Sequence, residues 1–441
     1  MKYTERAVNV FLNTGTKFPR RIIWAMGIIK YAAAKANSSL GLLDERLGEA
    51  IAKASLELAN GLHDDKVVVD VYQTGSGTGL NMNVNEVIAW RASELCGCEV
   101  HPNDHVNMCQ STNDVVTSAI RIAAIVEVRD NLIPSLRGLI NVLDELALKY
   151  SDVVKPGRTH LRDALPVTLG LELGAYSSAF KYDLTLIHNA LDYIMDIPLG
   201  GTAVGTGINA HPEYPRLVLS ILRDLTGINL TVSKCMSRGM RSLSDLVALS
   251  GGLRVLALDM LRLCQDLRLM YSGPNTGLNE VDIPQEVPGS SIMPGKENPV
   301  TVEAAMLAAV QVVGLDHSNT LANTLGEFEL SMGIPLIGYN IITQITLLSE
   351  AIRKLGEKVL KNLSPNIERM QRLAMNSRAL ITILTPLIGY DKAAELAVEL
   401  SKGKDLMALL KELGFDDATI SEVLDLNKLV KPGFPIRKAG K

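Results

Sequence analysis

The sequence predicts an all-α protein of three domains built around a central bundle of long helices. Two observations carry this prediction. The chain has 441 residues, of which 47% are hydrophobic, enough to bury several cores. Apolar residues also recur every three or four positions over long stretches, and the polar and apolar alternation typical of strands is absent there.

The N-terminal domain is predicted to cover residues 1–110. Helical periodicity at 19–39 and 43–60 precedes the first polar loop that is rich in glycine. The opening MKYTERAVNVFL lacks the cationic stretch, apolar core and cleavage site of a signal peptide. No run of about 18 uninterrupted apolar residues occurs, which is the length a membrane span needs. We therefore expect a cytoplasmic protein.

The central domain is predicted to cover residues 111–362. Its first helix follows the helical period through 111–150, and we expect a kink near Pro134. Similar stretches follow at 162–192, 236–271, 299–325 and 331–362. Their helices are apolar around much of their circumference, as in LVALSGGLRVLALDMLRL. An isolated bundle would leave that surface in water, so we expect subunits to associate.

The C-terminal domain is predicted to cover residues 363–441. Shorter periodic pieces appear around IGYDKAAELAVEL and KDLMALLKEL, and a basic end, KPGFPIRKAGK, follows them. This pattern indicates a small helical domain.

The formal net charge of -4 provides no general attraction to nucleic acid or to an anionic membrane. We therefore expect neither as a partner. An anionic small molecule would have to be held by a local arrangement of donors. The residues of such a site, and not the overall charge, therefore indicate the function.

The five cysteines, an odd number in a chain without a secretion signal, argue against a disulfide framework, and we expect reduced thiols. They are Cys96, Cys98, Cys109, Cys235 and Cys264. Cys96, Cys98, His101 and His105 can also be written as a metal cluster, but their spacing matches no common zinc pattern. Iron–sulfur spacing is absent as well. We expect no metal.

Five polar loops interrupt the predicted helices, and loops on rigid helices are where function usually lies. They cover residues 74–85, 101–114, 157–166, 200–212 and 273–299. The fourth contains GGTAVGTGIN, which does not match GxGxxG and follows no predicted strand. We therefore expect no nicotinamide cofactor.

The most specific motif is GSSIMPGKENP at 289–299, followed by Glu303. Asn298 and Pro299 suit the N-cap and first turn of a helix, so the loop leads directly into one. Lys296 would then lie beside a helix N-terminus, where two positive influences favour a bound carboxylate. The alternative is a flexible surface loop with a solvated lysine.

Two further segments present small hydroxyl and amide groups beside backbone donors. They are Ser76-Gly77-Thr78 and Ser111-Thr112-Asn113-Asp114. Simple capping of a long helix explains the second segment by itself. Capping and anion binding are compatible, because a bound carboxylate can accept from the N–H groups that remain free.

The segment GSSIMPGKENP resembles the GSSxMPxKxN signature of the fumarase/aspartase superfamily, and specifically its class II, iron-independent fumarases. Other segments resemble the same class, in an order and spacing that fit nearly the whole chain. They are TGSGTGLNMNVNEVIA at 74–89, HPNDHVNMCQSTND at 101–114, GRTHLRDALPVTLG at 157–170, GGTAVGTGIN at 200–209 and IGYDKAAELA at 388–397.

The resemblance implies a metal-independent fumarate hydratase of the tricarboxylic acid cycle, which interconverts fumarate and L-malate without a cofactor. It implies the three-domain fold of this lyase superfamily. It also implies a homotetramer in which four helical bundles form one multi-helix core. Each active site would be assembled from three subunits.

The resemblance also assigns roles to single residues. Ser290 would be the catalytic base, Lys296 would stabilise the doubly negative carboxylate, and His160, oriented by Glu303, would exchange a proton with the hydroxyl group. The substrate-binding residues would be Ser76, Gly77, Thr78, Ser111, Thr112, Asn113, Thr159, Ser291 and Asn298.

A second dicarboxylate site, apart from the catalytic centre, is implied at His101, Asn103 and Asp104. Cys98 stands nearby, where some relatives carry a basic residue.

Two alternatives remain open. Thr112 and Val300 look more like the residues of an aspartate ammonia-lyase, whereas His160 and Gly295 favour a fumarase. Glu297 is unusual, because an apolar residue is common at its position. A catalytically inactive, crystallin-like structural protein would be expected to have lost catalytic positions that are all present here.

Overall fold

The computed structural model describes residues 1–284 and 287–433. Long helices dominate it, which confirms the predicted all-α class. The last residues of the basic C-terminal end, 434–441, lie outside the described part, so the end of the predicted third domain does too.

The helices predicted at 19–39 and 43–60 begin within two residues of the expected positions, whereas the segment 74–85, predicted as a loop, is helical from Thr78. Six helices make up this N-terminal part. They are α1 (Lys2–Val10), α2 (Arg20–Ser39), α3 (Glu45–Ala59), α4 (Thr78–Cys96), α5 (Thr112–Glu127) and α6 (Ile133–Lys149). Of the 20 residues of α2, 13 are buried, among them Ile22, Ile29 and Met26. Such a helix lies in a core.

Six helices of the described chain follow, four of them with 21 to 28 residues and two with 13 and 6. They are α7 (Leu169–Ile194), α8 (Tyr214–Thr226), α9 (Met236–Arg241), α10 (Ser244–Tyr271), α11 (Val300–Ala322) and α12 (Ile334–Lys354). The helix α11 is long and apolar enough, by length and composition alone, to cross a membrane, although a core helix passes the same test.

The C-terminal part consists of short helices. They are α13 (Ile367–Met375), α14 (Thr385–Ile388), α15 (Tyr390–Ser401), α16 (Leu406–Glu412), α17 (Asp417–Val423) and α18 (Leu426–Leu429). Leu380, Leu384, Leu410, Ile420 and Val423 form their small apolar core.

The described strands are short and pair two by two. They are β1 (Val154–Thr159), β2 (Arg162–Thr168), β3 (Asp196–Ile197), β4 (Thr231–Val232), β5 (Val281–Asp282), β6 (Gly326–Glu327), β7 (Leu330–Ser331) and β8 (Ser364–Pro365). The pairs β1–β2, β5–β8 and β6–β7 are antiparallel, and β3–β4 is parallel.

The predicted helix at 162–192 begins later than expected. Residues 162–168 form β2, which pairs with β1, and the helix starts at Leu169. Pro166 and the β-branched residues Val167 and Thr168 disfavour a helix here, and a two-stranded ribbon tolerates the missing N–H of proline.

The break predicted near Pro134 takes the form of a π-helical turn. This turn covers Val128–Leu132 and separates α5 from α6, with Pro134 as the second residue of α6. A proline clashes with the carbonyl four residues before it, and the wider turn removes that conflict.

Contacts between residues group the chain into two units. Unit 1 contains residues 1–136, 182–261 and 305–352, and unit 2 contains 137–181, 262–304 and the described chain from 353 onward. In unit 1, α2 packs against α3, α5 and α8. The three-domain boundaries at 110 and 362 remain predictions.

The expectation of five reduced thiols is wrong for one pair, because Cys96 and Cys98 form a disulfide. Gly97 between them has a φ of 63°, and this left-handed residue reverses the chain. The two Cα atoms are consequently 5.3 Å apart, within the usual range for a disulfide. Cys109, Cys235 and Cys264 are free.

Candidate active site

A cavity of about 1160 Å³ lies within unit 2, and four of the predicted site residues line it. These are His160, Lys296, Asn298 and Glu303. Most of the other charged groups in its wall are cationic, namely Lys155, Arg158, Arg262 and Arg268, opposed by Glu172, Asp266 and Glu297. The cavity therefore combines an imidazole, five cations and four carboxylates. Its charges nearly balance, so an anionic ligand would be bound by individual cations such as Lys296.

His160 lies at the tip of the β1–β2 hairpin. The two residues between the strands, His160 and Leu161, have φ values of 55° and 57°. Two consecutive left-handed residues make the tight hairpin turn that matches strand twist, usually formed by Asn-Gly or Asp-Gly. A non-glycine residue in this region costs about 1–2 kcal/mol. The strained turn exposes the His160 imidazole.

A buried ion network holds the base of this hairpin. Arg158, on β1, donates from Nη2 and Nη1 to the two carboxylate oxygens of Glu280, at 2.7 and 3.1 Å. Lys155 Nζ lies 3.2 Å from Glu280 and 2.7 Å from Glu172. Burial raises the pKa of Glu172, an effect that Lys155 opposes. Because Glu280 is fully buried, this pairing fixes β1 firmly.

Ser290 occupies a turn whose backbone donates to it. Its Oγ accepts hydrogen bonds from the N–H groups of Ile292 and Met293, at 3.2 and 3.0 Å. Donors directed at a hydroxyl oxygen stabilise its deprotonated form. Of the described residues, Ser290, Ser291 and Thr159 are predicted for the site but do not line the cavity.

Asn298 connects the two ends of the 289–299 loop. Its side-chain amide donates to the carbonyl of Gly289, beside Ser290, and its Oδ1 accepts from Lys296 Nζ at 2.9 Å. The helix α11 begins at Val300, so the loop leads directly into a helix as predicted. Lys296 and the free N–H groups of this helix start favour a carboxylate.

Glu303 lies in the first turn of α11, where its negative charge is favourable. Its carboxylate is 3.8 Å from Arg268 Nε. His160 lines the same cavity, and the pairing of His160 with Glu303 remains a prediction.

In unit 1, Ser76, Gly77 and Thr78 form the start of α4. The hydroxyl oxygens of Ser76 and Thr78 are 3.0 Å apart. Gly77 has a φ of 86°, and a Cβ at this position would lie 2.9 Å from Val116 on α5. Only glycine allows α4 to start this close to α5.

Ser111 caps the start of α5 and forms a capping box with Asp114. The N–H of Asn113 donates to Ser111 Oγ at 3.3 Å, and Asp114 Oδ1 accepts from the N–H of Ser111 at 2.9 Å. Thr112 Oγ1 accepts from Asn81 of α4 at 3.1 Å. The two predicted anion-binding segments of unit 1 are therefore neighbours.

Asp114 also holds the glycine-rich loop at 200–212. Its Oδ2 accepts from the N–H groups of Gly200 and Thr202, at 2.9 and 3.0 Å. Burial raises the pKa of Asp114 to about 6, and these backbone donors oppose the rise. These two bonds hold the loop against the start of α5.

The residues predicted for a second dicarboxylate site lie in a π-helical turn at Pro102–Val106. His101 Nδ1 accepts from the N–H of Asp104 at 3.1 Å and lies 3.1 Å from the Asp104 carboxylate. Asn103 and Asp104 are exposed. The turn places the three residues together at the surface, and ligand binding there remains a prediction.

The described residues contain no group of three or more histidine, cysteine and acidic side chains arranged to hold a metal ion. In the Cys/His grouping considered above, Cys96 and Cys98 are bonded to each other. They therefore offer no thiolates.

Several polar residues around these sites escaped the sequence reasoning. Lys155, Arg158 and Glu280 support the hairpin, and Lys30 lies beneath the start of α5. Only Lys30 carries a local signal, a lysine inside the apolar run IIWAMGIIKYAAA. The partners of the others are distant in sequence and become evident only in the fold.

Comparison with known proteins gives consistent results. The family model described as lyase matches residues 1–314, and the model described as fumarase C C-terminus matches residues 380–431. The class II fumarate hydratase of Saccharolobus solfataricus is 56% identical over 436 residues, covering 98% of this chain and 99% of that protein.

Two solved structures share the fold. The class II fumarase of Schistosoma mansoni superimposes with a TM-score of 0.94 at 35% identity, covering 97% of this chain and 95% of that chain. A cobalt-bound fumarate lyase:delta crystallin from Brucella melitensis gives a TM-score of 0.92 at 37% identity, covering 98% of this chain and 95% of that chain.

Proposed function

The chain belongs to the lyase family of the class II fumarate hydratases, and from this membership we propose that it catalyses the reversible hydration of fumarate to L-malate. The observation that carries the proposal is the cavity of unit 2, in which His160, Lys296, Asn298 and Glu303 meet. The assignment of individual roles below is part of the proposal.

In the dehydrating direction, a base removes a proton from the carbon of malate beside a carboxylate. Ser290 is that base, and the N–H groups of Ile292 and Met293 stabilise its oxygen when the hydroxyl is deprotonated. The electron pair left on carbon moves into the adjacent carboxylate, which becomes doubly negative. Lys296 and Asn298 stabilise that charge.

The second half of the reaction expels the hydroxyl group of the neighbouring carbon. A proton reaches that oxygen through His160, water leaves, and the carbon–carbon double bond of fumarate forms. Glu303 orients the imidazole and raises its basicity. In the hydrating direction the same groups act in reverse.

The remaining predicted residues bind the substrate carboxylates. Thr159 and Ser291 supply hydroxyl groups in unit 2, and Ser76, Gly77, Thr78, Ser111, Thr112 and Asn113 supply donors in unit 1. The start of α5 adds free N–H groups and the positive end of the helix dipole.

We also propose that the protein is a homotetramer with active sites shared by three subunits. Only 28% of the most apolar window of α11 is buried within its own chain. Leu307, Val310 and Leu321 are 74%, 61% and 56% exposed, and their separations of 3, 11 and 14 residues place them on one face of the helix. A second copy of this chain is the proposed occupant, because the resemblance to the fumarase/aspartase superfamily implies a homotetramer with one multi-helix core.

The test follows ultraviolet absorbance of the fumarate double bond, with chelator-treated protein and L-malate or L-aspartate as substrate. Absorbance that rises with malate alone supports a fumarate hydratase that requires no metal. A signal with aspartate alone would establish an ammonia-lyase and remove His160 from its assigned role. No signal with either would favour a different leaving group or a structural protein.

A cytoplasmic location is part of the same proposal. Fractionation of cells of the source organism, with the protein followed by antibody, tests it.

A further inference from the structure

Lys30 is a fully buried lysine in the middle of α2 that the reaction scheme does not use. Its ammonium group donates to Asn107 Oδ1 at 2.9 Å and to Gln110 Oε1 at 3.0 Å. Both acceptors are neutral amides, and within the described part of the chain Lys30 forms no ion pair with a carboxylate. A buried charge without a paired countercharge is costly and therefore calls for a function.

The electrostatic surroundings of Lys30 partly offset that cost. Burial lowers the pKa of Lys30 to about 7, and the charge of Asp114 opposes the shift. The Asp114 carboxylate itself is occupied by the N–H groups of Ser111, Gly200 and Thr202. Because those backbone donors hold the Asp114 carboxylate, the ammonium group of Lys30 is left to bond with the turn that precedes α5.

The contacts of Lys30 lead directly to the proposed substrate-binding residues. Asn107 Oδ1 accepts from Asn81 and Asn85 of α4, each at 3.2 Å, as well as from Lys30. Asn81 also donates to Thr112 Oγ1 at 3.1 Å. A chain of two amide side chains thus connects the ammonium group to the hydroxyl of Thr112.

A second route runs through the backbone. Gln110 directly precedes Ser111, and its side-chain amide donates to the carbonyls of Val106 and Met108, at 3.1 and 3.0 Å. Lys30 holds the other end of that amide through Gln110 Oε1. The turn that delivers Ser111 to the start of α5 is therefore organised around Lys30.

We propose that Lys30 is a positioning residue for the substrate carboxylate that binds at Ser111, Thr112 and Asn113. This inference rests on the proposed function, since it names the cation that supports one carboxylate of the dicarboxylate substrate. Lys30 fixes the geometry of Thr112 and Ser111 and supplies positive charge beneath them without touching the substrate. Its effect is therefore on binding, and the chemical step at Ser290 depends on it little.

The test compares Lys30→Met, which keeps the length of the side chain but removes its charge, with wild-type protein. KM and kcat are measured with fumarate, and the Kd of the unreactive dicarboxylate succinate is measured by titration calorimetry. We expect KM and the succinate Kd to rise about tenfold or more, whereas kcat stays within about threefold.

Gln344→Met is the matched control. Gln344 is also fully buried on a long helix and belongs to a hydrogen-bonded network with Ser250 and Asn319, at 3.0 and 3.2 Å. It has no contact with the turn at 106–111. We expect this variant to keep the wild-type KM and the wild-type succinate Kd, although it loses stability.

A second variant, Asn107→Asp, keeps the proposal testable if Lys30→Met fails to fold. The new carboxylate pairs with Lys30 and opposes its charge, but it gives up the hydrogen bond that the Asn107 amide donates to the Gln110 carbonyl at 3.2 Å. KM and the succinate Kd are therefore measured on protein whose fold circular dichroism confirms, and both are expected to rise. The inference is wrong if either folded variant leaves both quantities within twofold of wild type, or if only kcat falls.

The calorimetry separates this inference from the proposed function. If wild-type protein fails to turn over fumarate or malate but binds succinate, the proposed reaction is wrong and the binding data still decide the role of Lys30. If it turns over normally and the folded variants bind succinate normally, only the role of Lys30 is wrong.

Discussion

Ser290, the proposed base, has its hydroxyl oxygen held by two backbone donors of its own loop. A free serine hydroxyl is a poor base near neutral pH, and two N–H groups directed at Oγ favour its deprotonated form. The loop also contains Lys296, so a positive charge lies in the same short segment. A single substitution at Ser290 therefore tests the proposed chemistry directly.

We expect Ser290→Ala to lose turnover by about 10³-fold or more, because a general base typically contributes 10²- to 10⁴-fold. The variant keeps its helical content, since the side chain contacts only the backbone of its own loop. Absorbance assays measure turnover, and circular dichroism with size-exclusion chromatography checks fold and assembly. Retention of most of the activity would assign the base to another group.

Asp183 offers a stability prediction that depends on pH. Burial raises the pKa of Asp183 to about 7, and the neighbouring Asp259 adds to the rise. An unfolded aspartate titrates near 3.9, so the stability contributed by the protonated form is complete below about pH 4 and is lost as pH rises through about 7.

The expected result is that Asp183→Asn stabilises the protein at pH 8, by about 1–3 kcal/mol, and has little effect at pH 4.5. Thermal melts at the two pH values measure the difference. Asp192→Asn, at an exposed position of the same helix, is the control. Equal effects of Asp183→Asn at both pH values would contradict a raised pKa of Asp183 in the folded protein.

At the level of single residues, sequence reasoning located those that lie in motifs. His160, Lys296, Asn298 and Glu303 were predicted, and the structure places them around one cavity. Glu280 and Lys155 were not predicted, because a buried ion network joins positions over a hundred residues apart and leaves no local pattern. The Cys96–Cys98 disulfide was missed because the odd number of cysteines argues only against a set of long-range disulfides. It does not show whether two neighbouring cysteines lie close enough to bond.

The β1–β2 hairpin is the element on which the reaction scheme depends most. Its turn carries two strained residues, and Arg158 ties its first strand to Glu280. The backbone of Glu280 is itself fixed, since its N–H donates to the carbonyl of Met270 at 2.7 Å and its carbonyl accepts from Asn366 at 2.8 Å. A rigid anchor therefore offsets the strain in the turn.

We expect Glu280→Gln to lower both the stability and kcat, because it leaves Arg158 and Lys155 without their shared carboxylate. Removing one member of a buried ion pair costs about 3–5 kcal/mol. Asp245→Asn is the matched control, since Asp245 holds buried Arg121 with two bonds of 3.0 Å and has no contact with the hairpin.

Chemical denaturation measures the stability of both variants, and the absorbance assay measures kcat. The expectation is a comparable loss of stability in the two variants with a loss of kcat in Glu280→Gln alone. If Asp245→Asn loses kcat to the same extent, the pairing of Glu280 with Arg158 does not specifically position His160.

At the level of elements, the long helices were predictable because their apolar periodicity extends over many turns. Their ends were less so. The start of α7 was misplaced by seven residues, since RDALPVT reads as a continuation of a helix until its pairing with β1 is known. Strand pairing is a long-range property, and a short strand has too few residues to show it alone.

The whole molecule is characterised by an apolar surface that its own chain does not cover. The face of α11 with Leu307, Val310 and Leu321 is more exposed than an isolated protein would tolerate, and Tyr182 and Tyr193 of α7 are 78% and 66% exposed. Subunit association was predicted from the sequence on the same ground. The number of subunits came from the resemblance and remains a proposal.

We expect Leu307→Glu to prevent assembly and to abolish turnover. A charge placed in a desolvated helix interface costs far more than at a solvated surface. Light scattering measures the mass in solution, and Leu148→Glu, at a residue that is 78% exposed on α6, is the control. A fully active, monomeric Leu307→Glu variant would show that one chain contains a complete site.

The proposed association of subunits through the uncovered face of α11 would also make folding depend on protein concentration. A helix that obtains its apolar environment from other copies is stable only above the concentration at which those copies meet, so the melting temperature rises with protein concentration. During refolding, the rate of the assembly step would then rise more steeply than in proportion to protein concentration. At low concentration the newly made chain spends longer with that surface in water, and this is the interval in which aggregation competes with assembly.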